Sequence, residues 1–197
     1  IRYNFTYQCA CDFINPRGVM REAEAQRMGI VTMRPLTSGI FQRLMAEAFP
    51  HLTFVYPVHL NPVVREAVFP VLKGVRNFVL LDPLEYGSMA ALMRASLLLV
   101  TDSGGLQEEG AALGVPVVVL RNVTERPEGL KAGILKLAGT DPEGVYRVVK
   151  GLLENPEELS RMRKAKNPYG DGKAGLRVAR GVAWRLGLGP RPEDWRP

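Results

Sequence analysis

Between Thr101 and Glu109 the chain reads TDSGGLQEE, setting an acid, a hydroxyl, two glycines and two more carboxylates within one short stretch. The apolar run Leu97, Leu98, Leu99, Val100 stops there, and helix formers follow. An apolar run ending in Asp-Ser-Gly-Gly predicts a buried parallel strand, a tight turn and the N-terminus of a helix. A helix N-terminus offers unpaired backbone N–H groups and the positive end of the macrodipole, which together suit a phosphate. Gly104 and Gly105 let the backbone approach a ligand closely, and Ser103 either caps the helix or bonds a phosphate oxygen. The helix itself is expected from Leu106. An ordinary strand-to-helix turn, with no ligand, fits the same residues.

The elements that would position this turn follow from the hydrophobic pattern. Short apolar runs alternate with helical patterns, the signature of a parallel sheet covered by helices. The pattern predicts strands over 1–7, 29–33, 53–58, 78–81, 97–101, 115–120 and 134–137. Helices are predicted over 18–28, 38–49, 62–72, 85–95, 106–113, 143–155, 156–162 and 173–186. The expected fold is a single three-layer α/β/α Rossmann-like (flavodoxin-like) domain with a mostly parallel sheet. In open sheets of this kind ligands bind beyond the carboxyl ends of the strands. Four polar clusters fall there: residues 57–62, 82–84, 102–105 and 121–126. A bland fold has no need of four such rims, so a real site is expected.

Composition narrows the classes. The chain has 197 residues, 46% hydrophobic and 23% charged, which suits one ordinary globular core. Its apolar runs are too short to span a bilayer, so no membrane role is expected. The start shows no basic region followed by an apolar core, so no secretory leader is expected. The net charge of +6 could suit nucleic acid, but the basic residues are scattered and no aromatic platform interleaves with them. The dense cluster 161–166 alternates with apolar positions as a solvated helix face does. Cys9 and Cys11 are the only cysteines. Without a second ligand pair they give no zinc site, and they read as buried or free thiols in a reducing, cytoplasmic setting. No cofactor or metal is expected.

From about Ala46 onward the chain closely resembles the C-terminal half of the non-hydrolysing bacterial UDP-N-acetylglucosamine 2-epimerases. The resemblance rests on YPVHLNP (56–62), LLDPLEY (80–86), TDSGGLQEE (101–109), RNVTERPEG (121–129) and NPYGDG (167–172), in that order and spacing. It implies the two-domain GT-B architecture, with a sugar nucleotide in the cleft, and inversion at C2 of UDP-GlcNAc to give UDP-ManNAc. Carried over by position, it puts Ser103, Gly104 and Gly105 on the diphosphate. Glu109, nearly two turns beyond Ser103 and roughly on the same face, would accept from the ribose hydroxyls. Arg126 would meet phosphate or sugar charge through its rigid fork, though it could instead pair with Glu125 or Glu128. Leu84 and Met89 match uracil-contacting positions. His59 matches a position linked to a second, regulatory nucleotide, and could equally cap a helix at Pro62. Asp102 reads as a turn-former, and Tyr169 and Asp171 as residues that fix the crossover before the last helix.

The resemblance also has gaps. It implies an N-terminal domain, carrying the acidic residues that would move the C2 proton, which this sequence lacks. A His-Arg-Arg-Glu-Asn segment is expected after the first strand; here the text is MRPLTSG (33–39), without histidine. Residues 1–45 instead resemble a strand–helix–strand piece of an aldo-keto reductase barrel, without that family's catalytic group. The chain therefore reads as a chimera: a foreign front segment over 1–45, an epimerase-like UDP-binding core over 46–166, and a C-terminal helix and proline-rich tail over 167–197. Strand 29–33 would replace the native first strand, with strand 1–7 pairing beside it. The expected activity is weak binding of UDP or UDP-GlcNAc, with no catalytic residue and negligible epimerisation by this polypeptide alone. A homo-oligomer or a complementary domain is an open partner. The rival is a chimeric α/β scaffold, engineered or structural, with no useful affinity.

Overall fold

Asparagine or aspartate followed by proline starts three of the helices, and in each the side chain accepts from the first turn. Asn61 takes the amide of Val63, Asp141 that of Gly144 and Asn155 that of Glu158. Proline suits the first turn because its missing N–H has no intrahelical partner there anyway. The computed structural model describes residues 30–33 and 40–194, with backbone alone at 30–33 and 40. The predicted strand 1–7 and helix 18–28, and both cysteines, lie outside the described residues.

Among the described residues six strands form one sheet: β1 (Ile30–Met33), β2 (Phe54–Pro57), β3 (Phe78–Leu81), β4 (Leu98–Thr101), β5 (Val117–Val119) and β6 (Leu135–Leu137). Their order is β3-β2-β1-β4-β5-β6, and every pairing is parallel. The helices are α1 (Ile40–Ala48), α2 (Pro62–Leu72), α3 (Tyr86–Ala95), α4 (Gly104–Ala112), α5 (Pro127–Ala132), α6 (Pro142–Leu153), α7 (Pro156–Arg163) and α8 (Ala174–Arg185). This is the doubly wound α/β fold that the pattern predicts.

Strand side chains alternate between two apolar layers, as the two-residue period of a strand requires. Phe54, Tyr56, Leu98, Val100 and Val118 point into a core shared with α1, α2 and α6. Val55, Leu99, Val117, Val119 and Leu135 point the other way, against α3 and α4. Phe54 and Phe78 stack with centroids 5.3 Å apart across β2 and β3. Asn77 ties the strands' amino-terminal end together by donating to the carbonyls of Ala46, Phe49 and Leu52.

β1 pairs with β2 on one edge and with β4 on the other. Two expectations need correction. Helix α4 begins at Gly104 rather than Leu106; glycine is a poor helix former in isolation, but the turn after β4 already orients the chain. Helix α5 was not expected at all. It has only six residues, too few to show a helical period, yet Pro127 opens it and Gly133, at φ 83°, closes it in the left-handed conformation that glycine tolerates. In the basic cluster 161–166, Met162 is buried and Arg163 donates to the Ser96 carbonyl at 2.6 Å. Those residues serve the fold.

Candidate functional site

The sheet winds one way from β1 to β2 and β3 and the other way from β4 to β5 and β6, so its switch point lies between β1 and β4. Crossovers diverge at such a point and leave a crevice beyond the carboxyl ends of the strands. Met33 pairs with Thr101 there, which sets the TDSGG turn at the crevice itself. All four expected polar rims, after β2, β3, β4 and β5, lie on this side because every strand is parallel.

The turn is built by its own residues. Buried Thr101 accepts from the Ser103 amide at 3.1 Å, which bends the chain out of β4. Ser103 then sits in an extended conformation as the N-cap residue, and its hydroxyl makes no capping bond. The amides of the first turn of α4 thus take no acceptor from that hydroxyl. A Cβ placed on Gly105 would lie 4.0 Å from both Ser103 Oγ and Glu109 Oε1, so hydroxyl and carboxylate both lie near this glycine. Glu109 is held above the ordinary carboxyl pKa of 4.5, first by burial and then by the neighbouring charge of Glu108.

The segment after β5 forms the second wall. Arg121 donates from Nε to the Asp102 carbonyl at 2.7 Å and pairs with Glu125. Glu125 brings its carboxylate over the start of α4, with Oε1 2.5 Å from the place a Gly104 Cβ would take. Arg126 pairs with Glu108 of α4, and not with Glu125 or Glu128 as the sequence suggested. The fork of Arg126 is therefore drawn back to α4, at the edge of the same crevice. Its backbone is held as well: the amide donates to Thr124 Oγ1 at 3.1 Å, and Thr124 donates to buried Gln107 Oε1 at 2.6 Å.

The remaining expected residues divide. Met89 is buried and Leu84 half-buried, both in the apolar layer that also contains Leu106 of α4. They border the turn from the α3 side, with Met89 acting as core. His59 is exposed at the end of β2, separated from β4 by β1, and so stands apart from this cluster. It does not cap α2; Asn61 does, while His59 Nδ1 accepts the Asn61 amide at 3.1 Å. An ion pair between Arg65 and Asp82 links the β2 and β3 rims nearby. Asp102 is buried in the turn. Asp171 accepts both arms of Arg177 at 2.7 Å and the Lys173 amide at 3.1 Å, as a crossover-fixing residue would. The sequence reading passed over Arg121, Thr124, Gln107 and Glu108. Their only signal is a cluster of polar residues directly after β5 and along the buried side of α4. Among the described residues no group of three or more His, Cys, Asp or Glu side chains could hold a metal ion, and no helix is long and apolar enough to cross a membrane.

Residues 37–183 match the family model for UDP-N-acetylglucosamine 2-epimerase. The chain belongs to this family. It is 46% identical over 153 residues to a putative UDP-N-acetylglucosamine 2-epimerase of Thermotoga maritima, and 47% identical over 153 residues to a UDP-N-acetylglucosamine 2-epimerase of Bacillus subtilis. Each match covers 78% of this chain but only 40% of the relative, so the matched part spans about two-fifths of these epimerases. Among solved structures it is similar to S. aureus MnaA with UDP, at a TM-score of 0.83 and 33% identity, over 91% of this chain and 52% of that one. The Neisseria meningitidis UDP-GlcNAc 2-epimerase bound to UDP-GlcNAc gives 0.75 and 36%, over 79% and 44%. The GT-B epimerase fold expected from the sequence is thereby established for this domain.

Proposed function

We propose that this chain carries the UDP-binding half of a UDP-GlcNAc 2-epimerase site and does not epimerise without a complementary domain. The observation that carries the reading is a helix start at the switch point of the sheet that the Ser103 hydroxyl does not cap, with Ser103 and Glu109 both near Gly105. In this reading the amides around Gly104 and Gly105 take the diphosphate, and Ser103 supplies a hydroxyl to the same oxygens. Glu109 accepts from the ribose hydroxyls, Arg126 leaves Glu108 for phosphate or sugar charge, and the uracil lies against the edge formed by Leu84 and Met89. His59, at a distance from this cluster, belongs to a second nucleotide position. Similarity to structures holding UDP and UDP-GlcNAc supports the ligand class.

Catalysis at C2 needs a proton-transfer group within hydrogen-bond reach and a cleft closed from water. Of the carboxylates of this half-site, Glu109 is given to the proposed ribose and Glu125 pairs with Arg121, while Glu108 pairs with Arg126 until the nucleotide draws that arginine away. The partner we infer is the missing wall of the cleft, supplied by another domain or another copy. The front segment 1–45 keeps its reading as a foreign strand–helix–strand piece of aldo-keto reductase type. The family match begins at residue 37, within the last part of that segment. The cytoplasm remains the expected compartment. Calorimetry with UDP and a coupled assay for UDP-ManNAc test the proposal together. The expected result is saturable UDP binding with no measurable turnover. Turnover like that of a two-domain epimerase would refute the half-site, and absence of UDP binding would favour the scaffold reading.

A further inference from the structure

The loop NPYGDG lies far along the chain from the glycine turn, yet one of its side chains reaches the residue that the proposed function assigns to phosphate. Tyr169 donates its hydroxyl to the backbone carbonyl of Arg126 at 3.3 Å, across 43 residues of sequence. It reaches that far because Gly129 has no side chain: a Cβ there would overlap both Tyr169 Oη and Leu135 Cδ1. The loop behind the ring is fixed by Asn167, which accepts the Tyr169 amide at 3.0 Å and donates to the Gly170 carbonyl at 2.9 Å. The ring itself packs against the apolar layer under α4 and α5.

Arg126 is thereby gripped on both sides of its Cα. Its carbonyl takes Tyr169 from one side, and its amide is bonded to Thr124 from the other. Thr124 is in turn anchored on α4 by Gln107. Arg126 needs such support because it is the N-cap residue of α5, at φ −120° and ψ 57°, and its own side chain does no capping. An arginine with an unsupported backbone would spread its guanidinium over several positions, and fixing it on binding would cost conformational entropy.

We propose that Tyr169 and Thr124 are positioning residues for nucleotide binding, which hold the backbone of Arg126 so that its guanidinium faces the start of α4. The proposal rests on the reading of Arg126 as the phosphate-facing cation. Burial raises the Tyr169 phenol above its ordinary pKa of 10, against a lowering contribution from the Gly129 backbone, so the O–H stays a donor at neutral pH.

The test is calorimetry of UDP against the full chain, its Tyr169→Phe, Arg126→Ala and double variants, with unfolding temperatures measured alongside. Tyr169→Phe keeps the ring and loses one hydrogen bond, and is expected to weaken UDP about three- to tenfold. That loss should vanish in the Arg126→Ala background, since a residue acting through another has nothing left to position. Thr124→Val should behave like Tyr169→Phe, and Thr124→Ser, which keeps the hydroxyl, should restore wild-type affinity. If UDP binds the wild type and Tyr169→Phe lowers only the unfolding temperature, the positioning role is overturned and the nucleotide site stands. An equal loss of affinity with and without Arg126 overturns it too. A wild-type chain that fails to bind UDP overturns the site and this proposal together.

Discussion

Gly104→Ala separates a nucleotide site from a strand-to-helix turn more sharply than any change to a charged residue. The new methyl group would stand 2.5 Å from Glu125 Oε1 and 3.8 Å from an Arg126 nitrogen. Both neighbours are the far ends of flexible side chains, so the fold gives way easily, and alanine in place of glycine gains up to about 1 kcal/mol of helix propensity. The unliganded variant should therefore unfold at the wild-type temperature or slightly above it. Binding responds differently, because the methyl projects where a phosphate must approach the first amides of α4. A backbone amide bonded to a charged group contributes about 1.5–3 kcal/mol, so losing two weakens UDP by about a hundredfold or more. At a ligand concentration of about 100 Kd the wild type gains about 2.7 kcal/mol, which for a domain of this size raises the unfolding midpoint by about 5–11 °C. With affinity a hundredfold lower, the same concentration gives the variant about 0.4 kcal/mol, or about 1 °C. Differential scanning fluorimetry with and without UDP reads both quantities. An unchanged ligand shift in Gly104→Ala would refute the placement of phosphate at this helix start, and a large fall in the unliganded midpoint would refute the steric argument.

Gly110→Ala tests packing instead of binding. Its Cβ would lie 2.7 Å from Val117 Cγ2 and 3.1 Å from Leu99 Cδ2, both buried; after the helix-propensity gain the net loss should be about 1–2 kcal/mol, lowering the thermal midpoint by about 2–8 °C. A higher midpoint would mean that α4 moves away from the sheet without cost. UDP affinity should weaken as pH falls toward the raised pKa of Glu109, because protonation removes an acceptor for ribose and does so at a higher pH than for a free carboxyl of 4.5. In Glu109→Gln the affinity should be lower at neutral pH and lose this dependence, and a matching slope in the variant would exclude Glu109 as its source. Glu125→Gln should strengthen UDP binding a few-fold, most at low salt, by removing a negative charge beside Gly104. Weaker binding in titrations of that variant would instead make Glu125 a ligand contact.

Strand existence was legible for β2, β4 and β5 because these strands are buried on both faces and show as apolar runs. Helices opened by Asx-Pro pairs were legible for a similar reason: the capping chemistry is local and written in adjacent residues. The start of α4 was misread by two residues because glycine suits a turn and a first helical turn equally. Helix α5 escaped notice because its order comes from tertiary contacts, with Leu130 against the core and Tyr169 against Gly129. At the site, Ser103 and Glu109 could be paired from sequence since a few residues separate them. The partners of Arg126 could not. Glu108 is 18 residues away and Tyr169 is 43, so only the fold brings them together. The near neighbours Glu125 and Glu128 looked like better partners on the page, yet α5 turns the chain so that the guanidinium reaches α4.

The C-terminal helix gives the half-site reading its strongest physical support outside the crevice. Helix α8 is 12 residues long and buries none of them, while Leu176, Val178, Val182 and Leu186 stay exposed. At 100° per residue these four fall on one side, and Arg177, Arg180 and Arg185 fall on the other. An amphipathic helix of this length is marginal in water by itself, since most helical stability in proteins comes from packing the apolar face. The exposed ion pair between Asp171 and Arg177 fastens its first turn, and exposed pairs contribute little. The apolar stripe is thus out of keeping with a domain complete in itself, where contiguous apolar surface marks an interaction site. In the proposed half-site reading, a complementary domain that closed the cleft over Gly104 would also offer the apolar stripe of α8 a surface to pack against.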